Sequence, residues 1–223
     1  TSGEVHLLPD SGDDVARARL LLSTWAREHP AERHAVLART NRELTPYAAV
    51  ALELGLPYRA EEDGLLLDDE WLDPVLADVD RTWPLLPAVA AASQRAELSD
   101  DLAGTLLTWA AGLPHVDALE DTLRERRRAR ERLRRDDANL TLATAHGTKG
   151  LEWDHVACIG HDEGAFPSGR AMAEADDPTR VLEEERRLAY VAWTRARVTL
   201  TIVYDPGAPS VFVREAFDAD EWA

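Results

Sequence analysis

Leu140–Pro167, LTLATAHGTKGLEWDHVACIGHDEGAFP, and Glu183–Arg197, EEERRLAYVAWTRAR, decide how this chain is read. Each couples an apolar run of strand or helix character to polar residues that a core segment would not need. The first supplies Thr144, His146, Lys149 and Glu152; the second supplies Arg186, Arg187, Thr194 and Arg195. The apolar runs predict strands at Leu140–Thr144 and His155–Ile159. They predict a helix over Val181–Thr194 with Leu182, Leu188, Val191 and Ala192 on roughly one face. Val198–Tyr204 alternates and is β-branched, which predicts another strand, and Ser210 is placed to cap a closing helix to Phe217.

Upstream, Glu4–Leu8 reads as a short strand. Asp13 and Asp14 then open a helix in which Val15, Ala18, Leu21, Leu22 and Trp25 recur at helical spacing up to Pro30. His34–Ala38 (HAVLA) is a second strand. It runs through Arg39-Thr40-Asn41 into a helix over Leu44–Leu54 that Gly55 and Pro57 end. Alternating strands and helices predict an α/β fold with a parallel sheet and helices on both faces. Asp68–Val79 reads as a further helix. Its LLLDDE resembles a strand ending in metal-binding acids, but acids at a helix start are commonplace and no phosphate loop precedes them. Residues 83–136 are rich in Ala and Leu, with Pro84, Pro87, Gly112 and Pro114 between helical segments and no strand signal. The expected organisation is therefore 1–82 and 137–223 as one α/β domain, with 83–136 as a small all-helical insertion. The insertion ends in LRERRRARERLRR, either a solvated helix with Glu–Arg pairs at Glu125 and Glu131 or a nucleic-acid backbone contact.

With 25 Lys and Arg against 42 Asp and Glu, the net charge of −17 argues against binding a polyanion over the whole surface. A local basic cleft stays open. One cysteine, Cys158, excludes a disulfide framework and fits a reducing, cytoplasmic setting. No apolar run approaches membrane-spanning length, and the opening Thr1-Ser2-Gly3 reads like a cut end or a cloning scar, which leaves a fragment and a natural short protein both open.

Arg39, His146–Glu152 and Arg195 fall near strand ends or at the end of a helix that follows a strand, and open α/β sheets bind ligands at the carboxyl ends of their strands. Arginine and lysine there imply an anionic ligand, arginine offering forked donors to phosphate oxygens. Glu152 suits a sugar hydroxyl, and Thr144, His146 and Thr194 suit a nucleic-acid phosphate. Arg186 and Arg187 either join them or pair with Glu183–Glu185. His155, His161, Asp162 and Glu163 offer metal donors without the matched second pair of a zinc site. Trp71, Trp83, Trp109 and Trp153 read as core or subdomain contacts rather than as base-stacking platforms. No G-x-x-x-x-G-K-[ST] occurs, because Gly147-Thr148-Lys149-Gly150 has the wrong order, so a nucleotide-hydrolysing site would be completed from another lobe.

These residues carry a resemblance. TAHGTKGLEWDHVACIGHDEGAFP resembles motif V of the UvrD/Rep/PcrA group of superfamily 1 DNA helicases, and EEERRLAYVAWTRAR resembles their motif VI. AVLARTN resembles motif IV, and PSVFVREAF the helix that follows motif VI. The resemblance implies the second RecA-like motor lobe of an ATP-dependent 3′–5′ DNA helicase or translocase, inactive without a first lobe that holds the phosphate loop and Mg2+. It implies that Arg39 and Arg195 reach the γ-phosphate of ATP, with Arg195 as the arginine finger. Glu152 would contact the ribose, and Thr144 and His146 the backbone of single-stranded DNA. Two departures stand out. Ala38 occupies the position of a tyrosine that stacks on adenine, and the interval between motifs IV and V is far too short for the family's usual accessory subdomain. The rival expectations are a non-catalytic DNA- or protein-binding module and a helicase–nuclease fusion.

Overall fold

The computed structural model describes residues 3–10, 12–63, 65, 67, 69–98, 100–148 and 150–218. It contains a 6-stranded sheet in the order β1-β6-β5-β2-β4-β3. The strands are β1 (Glu4–Pro9), β2 (His34–Ala38), β3 (Tyr58–Ala60), β4 (Leu140–Thr144), β5 (Trp153–Cys158) and β6 (Ala196–Tyr204). Every pairing is parallel, so all carboxyl ends lie along one edge and all amino ends along the other. β2 is buried at every residue, as befits a central parallel strand with both faces covered.

The two faces of β2 pack differently. Ala35 and Leu37 join Val156, Cys158 and Ile202 in a core with Ala189 and Ala192 of α8 (Pro178–Trp193) and Phe212 and Val213 of α9 (Val211–Ala216). His34 turns the other way and stacks on Trp25 of α1 (Asp14–Glu28) at 4.8 Å. α1 packs beside α2 (Asn41–Leu54). A register shift between Trp153 and His155 breaks the alternation of β5: Trp153 and Val156 both enter the α8 core, and His155 points toward α1.

The expected caps are present. The Asp13 side chain accepts from the Ala16 N–H, Gly55 closes α2 in the left-handed conformation, and Ser210 accepts from the Phe212 N–H. At α2 a capping box joins Thr40 and Glu43. The box needs Gly160: its φ is +69°, and an added Cβ would lie 2.2 Å from Oε1 of Glu43.

The chain divides into two compact units, Thr1–Gly64 with Leu133–Ala223, and Leu65–Arg132. The second contains α3 (Asp69–Ala77), α4 (Leu85–Arg95), α5 (Asp100–Ala110) and most of α6 (Val116–Leu133). It opens upstream of the residue-83 boundary read from sequence, because Leu72 and Val75 of α3 are buried and α3 packs on α4. Asp68, Lys149 and the acidic terminus from residue 219 lie outside the described residues. In the basic helix, Arg124 pairs with Asp121, Arg127 with Asp73 and the Leu67 carbonyl, and Arg126 lies over the Trp109 ring. These arginines are held by groups of the unit itself. Trp153 is buried as expected, whereas Trp83 is 56% exposed.

Candidate functional site

Parallel topology sorts the polar residues into two sets. Arg39 directly follows Ala38, the last residue of β2, which pairs with Thr144, the last residue of β4. His146 stands exposed on the 3-10 turn Ala145–Thr148 that follows β4. These three occupy the carboxyl edge. Glu152 instead precedes Trp153, the first residue of β5, and Arg195 precedes Ala196, the first residue of β6, with Trp153 and Ala196 in register. Glu152 and Arg195 therefore lie together on the amino edge. Their placement corrects the expectation that Glu152 shares the carboxyl end with His146.

Arg195 is pinned on that edge. Its Nε donates to the Val191 carbonyl at 3.0 Å, its Nη1 donates to the Leu151 carbonyl at 3.3 Å, and its own carbonyl accepts from the Trp153 N–H at 3.0 Å. The buried Trp153 indole supports this corner by donating to Thr141 Oγ1 at 3.1 Å. Glu152 is 54% exposed and pairs at 3.3 Å with Arg197, itself 56% exposed. A recess of about 240 Å³ adjoins it, lined among others by Arg33, Arg59 and Thr141. A fixed guanidinium beside an accessible carboxylate is a donor set suited to a phosphate and a sugar hydroxyl.

Arg39 is engaged elsewhere. Its Nε and Nη2 form a fork on the Glu185 carboxylate at 2.9–3.1 Å, and Glu185 also accepts from the Ser168 N–H at 3.1 Å. Glu185 is 7% exposed and Arg39 21%. Glu185 lies within α8, whereas Arg195 lies past its end at Trp193 and directly before β6. Arg39 thus stands at the carboxyl edge on Glu185, and Arg195 at the amino edge. Ala38 is 1% exposed and lies at the carboxyl edge, so its methyl does not face Glu152 and Arg195.

Arg186 and Arg187 separate as well. Arg186 pairs with Glu183, makes two 2.9 Å bonds to Glu215 and lies over the Phe212 ring, so it fastens α8 to α9. Arg187 is exposed. His161, which follows β5, is 1% exposed and accepts the Trp193 indole N–H at 2.8 Å on Nε2. Burial lowers its pKa to about 4, and a backbone bond at Ile159 only partly opposes this, so the ring is neutral at pH 7. It is a core residue. The Cys158 thiol is fully buried and held protonated by desolvation.

Sequence reasoning missed Glu185 and Arg197. Both lie inside EEERRLAYVAWTRAR, and their acid–base opposition to Arg39 and Glu152 was the available signal. What hid them was the fold: these pairs join residues far apart in the chain.

A family model described as "UvrD-like helicase C-terminal domain" matches residues 112–206. The ATP-dependent DNA helicase UvrD2 of Mycobacterium tuberculosis is 31% identical over 234 residues, covering 90% of this chain and 32% of that protein. DNA helicase II of Haemophilus influenzae is 54% identical over 65 residues, which is 29% of this chain and 8% of that one. ATP-dependent DNA helicase PcrA of Leuconostoc citreum is 55% identical over 60 residues, 27% and 8% respectively. The chain thus spans about a third of the length of the mycobacterial relative. No described helix is long and apolar enough to cross a membrane. The two motifs that carry Thr144, His146, Glu152 and Arg195 fall inside the span, residues 112–206, that is similar to the UvrD-like helicase C-terminal domain.

Proposed function

We propose that this chain is the second motor lobe of an ATP-dependent 3′–5′ DNA helicase or translocase, working in the cytoplasm with its two jobs on opposite edges of one sheet. On the amino edge, Glu152 accepts from a ribose hydroxyl and Arg195 donates to the γ-phosphate of an ATP whose Mg2+ and phosphate loop come from an N-terminal lobe. On the carboxyl edge, Thr144 and His146 donate to the backbone of single-stranded DNA. The observation that carries this reading is the juxtaposition of Glu152 with a guanidinium already pinned by two carbonyls, on the edge away from Thr144 and His146.

Bound ATP supplies the phosphoryl group that is transferred to water. Arg195 offsets the charge that grows on that group in the transition state, and its prior fixing removes reorganisation from the reacting step. Arg39 binds no substrate in this scheme. It ties the end of β2 to α8, the helix that leads to the finger. Adenine stacking is then not demanded of position 38, and Ala38 does not count against nucleotide binding.

The test is DNA-stimulated ATP hydrolysis by the longer polypeptide that joins this chain to a phosphate-loop lobe. Arg195→Ala should lower the rate by about 10³–10⁵ with DNA affinity retained, as expected for an arginine finger. Thr144→Ala and His146→Ala should raise the DNA concentration needed for half-stimulation and spare the DNA-free rate. Full activity in Arg195→Ala would remove the catalytic assignment. A parent that never hydrolyses ATP would favour the reading as a non-catalytic DNA- or protein-binding module.

A further inference from the structure

We propose that His29, Glu32 and His155 form a three-ligand site for a divalent transition metal of the zinc class, with solvent as the fourth ligand. The nitrogen and oxygen donors of these residues all lie within 4.8 Å of one another. Glu32 sits between the rings: Oε1 is 3.4 Å from His29 Nδ1, and Oε2 is 2.5 Å from His155 Nε2. The imidazoles lie side by side, with centroids 4.3 Å apart. Bonds of about 2.0–2.1 Å to a tetrahedral zinc put neighbouring donors about 3.3 Å apart, so three donors that lie within 4.8 Å of one another need to close by at most about 1.5 Å, within the reach of the half-exposed His29 and Glu32 side chains.

The backbone builds this cluster. His29 ends α1, with its N–H on the Trp25 carbonyl, and the Glu32 N–H returns to the His29 carbonyl at 3.2 Å. That tight turn holds an H-x-x-E pair on one side. The third donor comes from β5, where the register shift after Trp153 turns His155 toward α1. The join is fixed by the Asp154 and His155 N–H groups on the Arg33 carbonyl, and by the Arg33 N–H on Asp154 Oδ2. His155 is 4% exposed and stacked on His34 at 5.3 Å, so its ring cannot swing away.

Two imidazoles and one carboxylate are donors for zinc, cobalt, nickel or copper rather than magnesium or calcium. His29 and Glu32 are 37% and 44% exposed, which gives the ion an entry path and leaves room for a water ligand. Neither the ATP edge nor the DNA edge uses these residues, so the proposal stands apart from the motor reading. The ion would clamp the C-terminal turn of α1 to a central strand.

The experiment is a titration of the chelator-stripped chain with Co2+ as spectroscopic probe and Zn2+ as competitor. Expected are the visible d–d bands of four-coordinate Co2+, saturation at one ion per chain, displacement by Zn2+, and a rise in Tm of ~5–10 °C at a hundredfold excess over Kd. Glu32→Ala and His29→Ala act on half-exposed side chains, so both should fold, and each should weaken binding at least tenfold. The double variant of the outlying His6 and His115, each replaced by Ala, should bind like the parent. Absence of four-coordinate bands, or undiminished affinity in Glu32→Ala, overturns the site and leaves a hydrogen-bonded His155–Glu32 pair.

Discussion

At the scale of the residue, two ion pairs in one molecule have opposite worth. Arg39 and Glu185 meet in a fork with the carboxylate almost wholly buried, whereas Arg197 and Glu152 meet with more than half of each side chain in water. Buried charges lose hydration on folding, so removing one partner strands the other. Exposed pairs gain little, since water screens them and holding two long side chains costs entropy. Glu185→Ala is expected to cost about 3 kcal/mol in urea denaturation, and a double-mutant cycle with Arg39→Ala should return a coupling above about 1 kcal/mol. The same cycle on Arg197 and Glu152 should return under about 0.5 kcal/mol. Equal couplings would mean that burial does not set the strength of these pairs.

At the scale of the element, α9 is short, and its cap adds to the hold that Arg186 and the core give it. Ser210 is fully buried; its hydroxyl donates to the Phe166 carbonyl at 2.5 Å and accepts from the Phe212 N–H at 3.2 Å. One side chain therefore starts the helix and ties it to the segment after β5, where the Phe166 and Phe212 rings meet edge to face. Ser210→Ala removes a cap and leaves a buried carbonyl short of a donor, and should lower thermal stability by about 2–3 kcal/mol. Ser210→Thr should recover part of that loss. The cap was legible in the sequence, as were the strands whose apolar runs flank it. β3 was not: Tyr58–Ala60 is three residues long and is recognisable only through partners such as Arg135, whose N–H reaches the Tyr58 carbonyl. The identities of the candidate site residues were legible from their chemistry, but the edges they occupy were not. Which edge Glu152 and Arg195 share depends on where β5 and β6 begin in the sheet, and sequence proximity to His146 suggested the wrong one.

At the scale of the molecule, acid response follows from groups that folding moves off their ordinary pKa. Glu43 and Asp162 are raised by burial, only partly offset by hydrogen bonds from Thr40 and the Asp205 N–H. Each binds its proton more tightly folded than unfolded, so both add stability as pH falls through the raised values. His161 works in the opposite direction. Its folded pKa is depressed to about 4 from 6.5, so between those values the unfolded chain takes up a proton that the folded chain refuses. Stability from this residue is whole above pH 6.5 and is lost progressively down to about pH 4, reaching on the order of 3 kcal/mol. His161→Gln keeps an acceptor for the Trp193 indole and cannot titrate. The variant should be less stable than the parent at pH 7.5 because its shape packs less well. The gap should narrow and then reverse as pH falls from 6.5 to 4.5, since only the parent pays for the buried neutral ring. Urea unfolding of both proteins across that range measures the difference directly, with the shared carboxylates cancelling. A gap that stays constant with pH would show that the unfolded and folded chains protonate His161 alike, and the acid sensitivity of the fold would then have to come from another group.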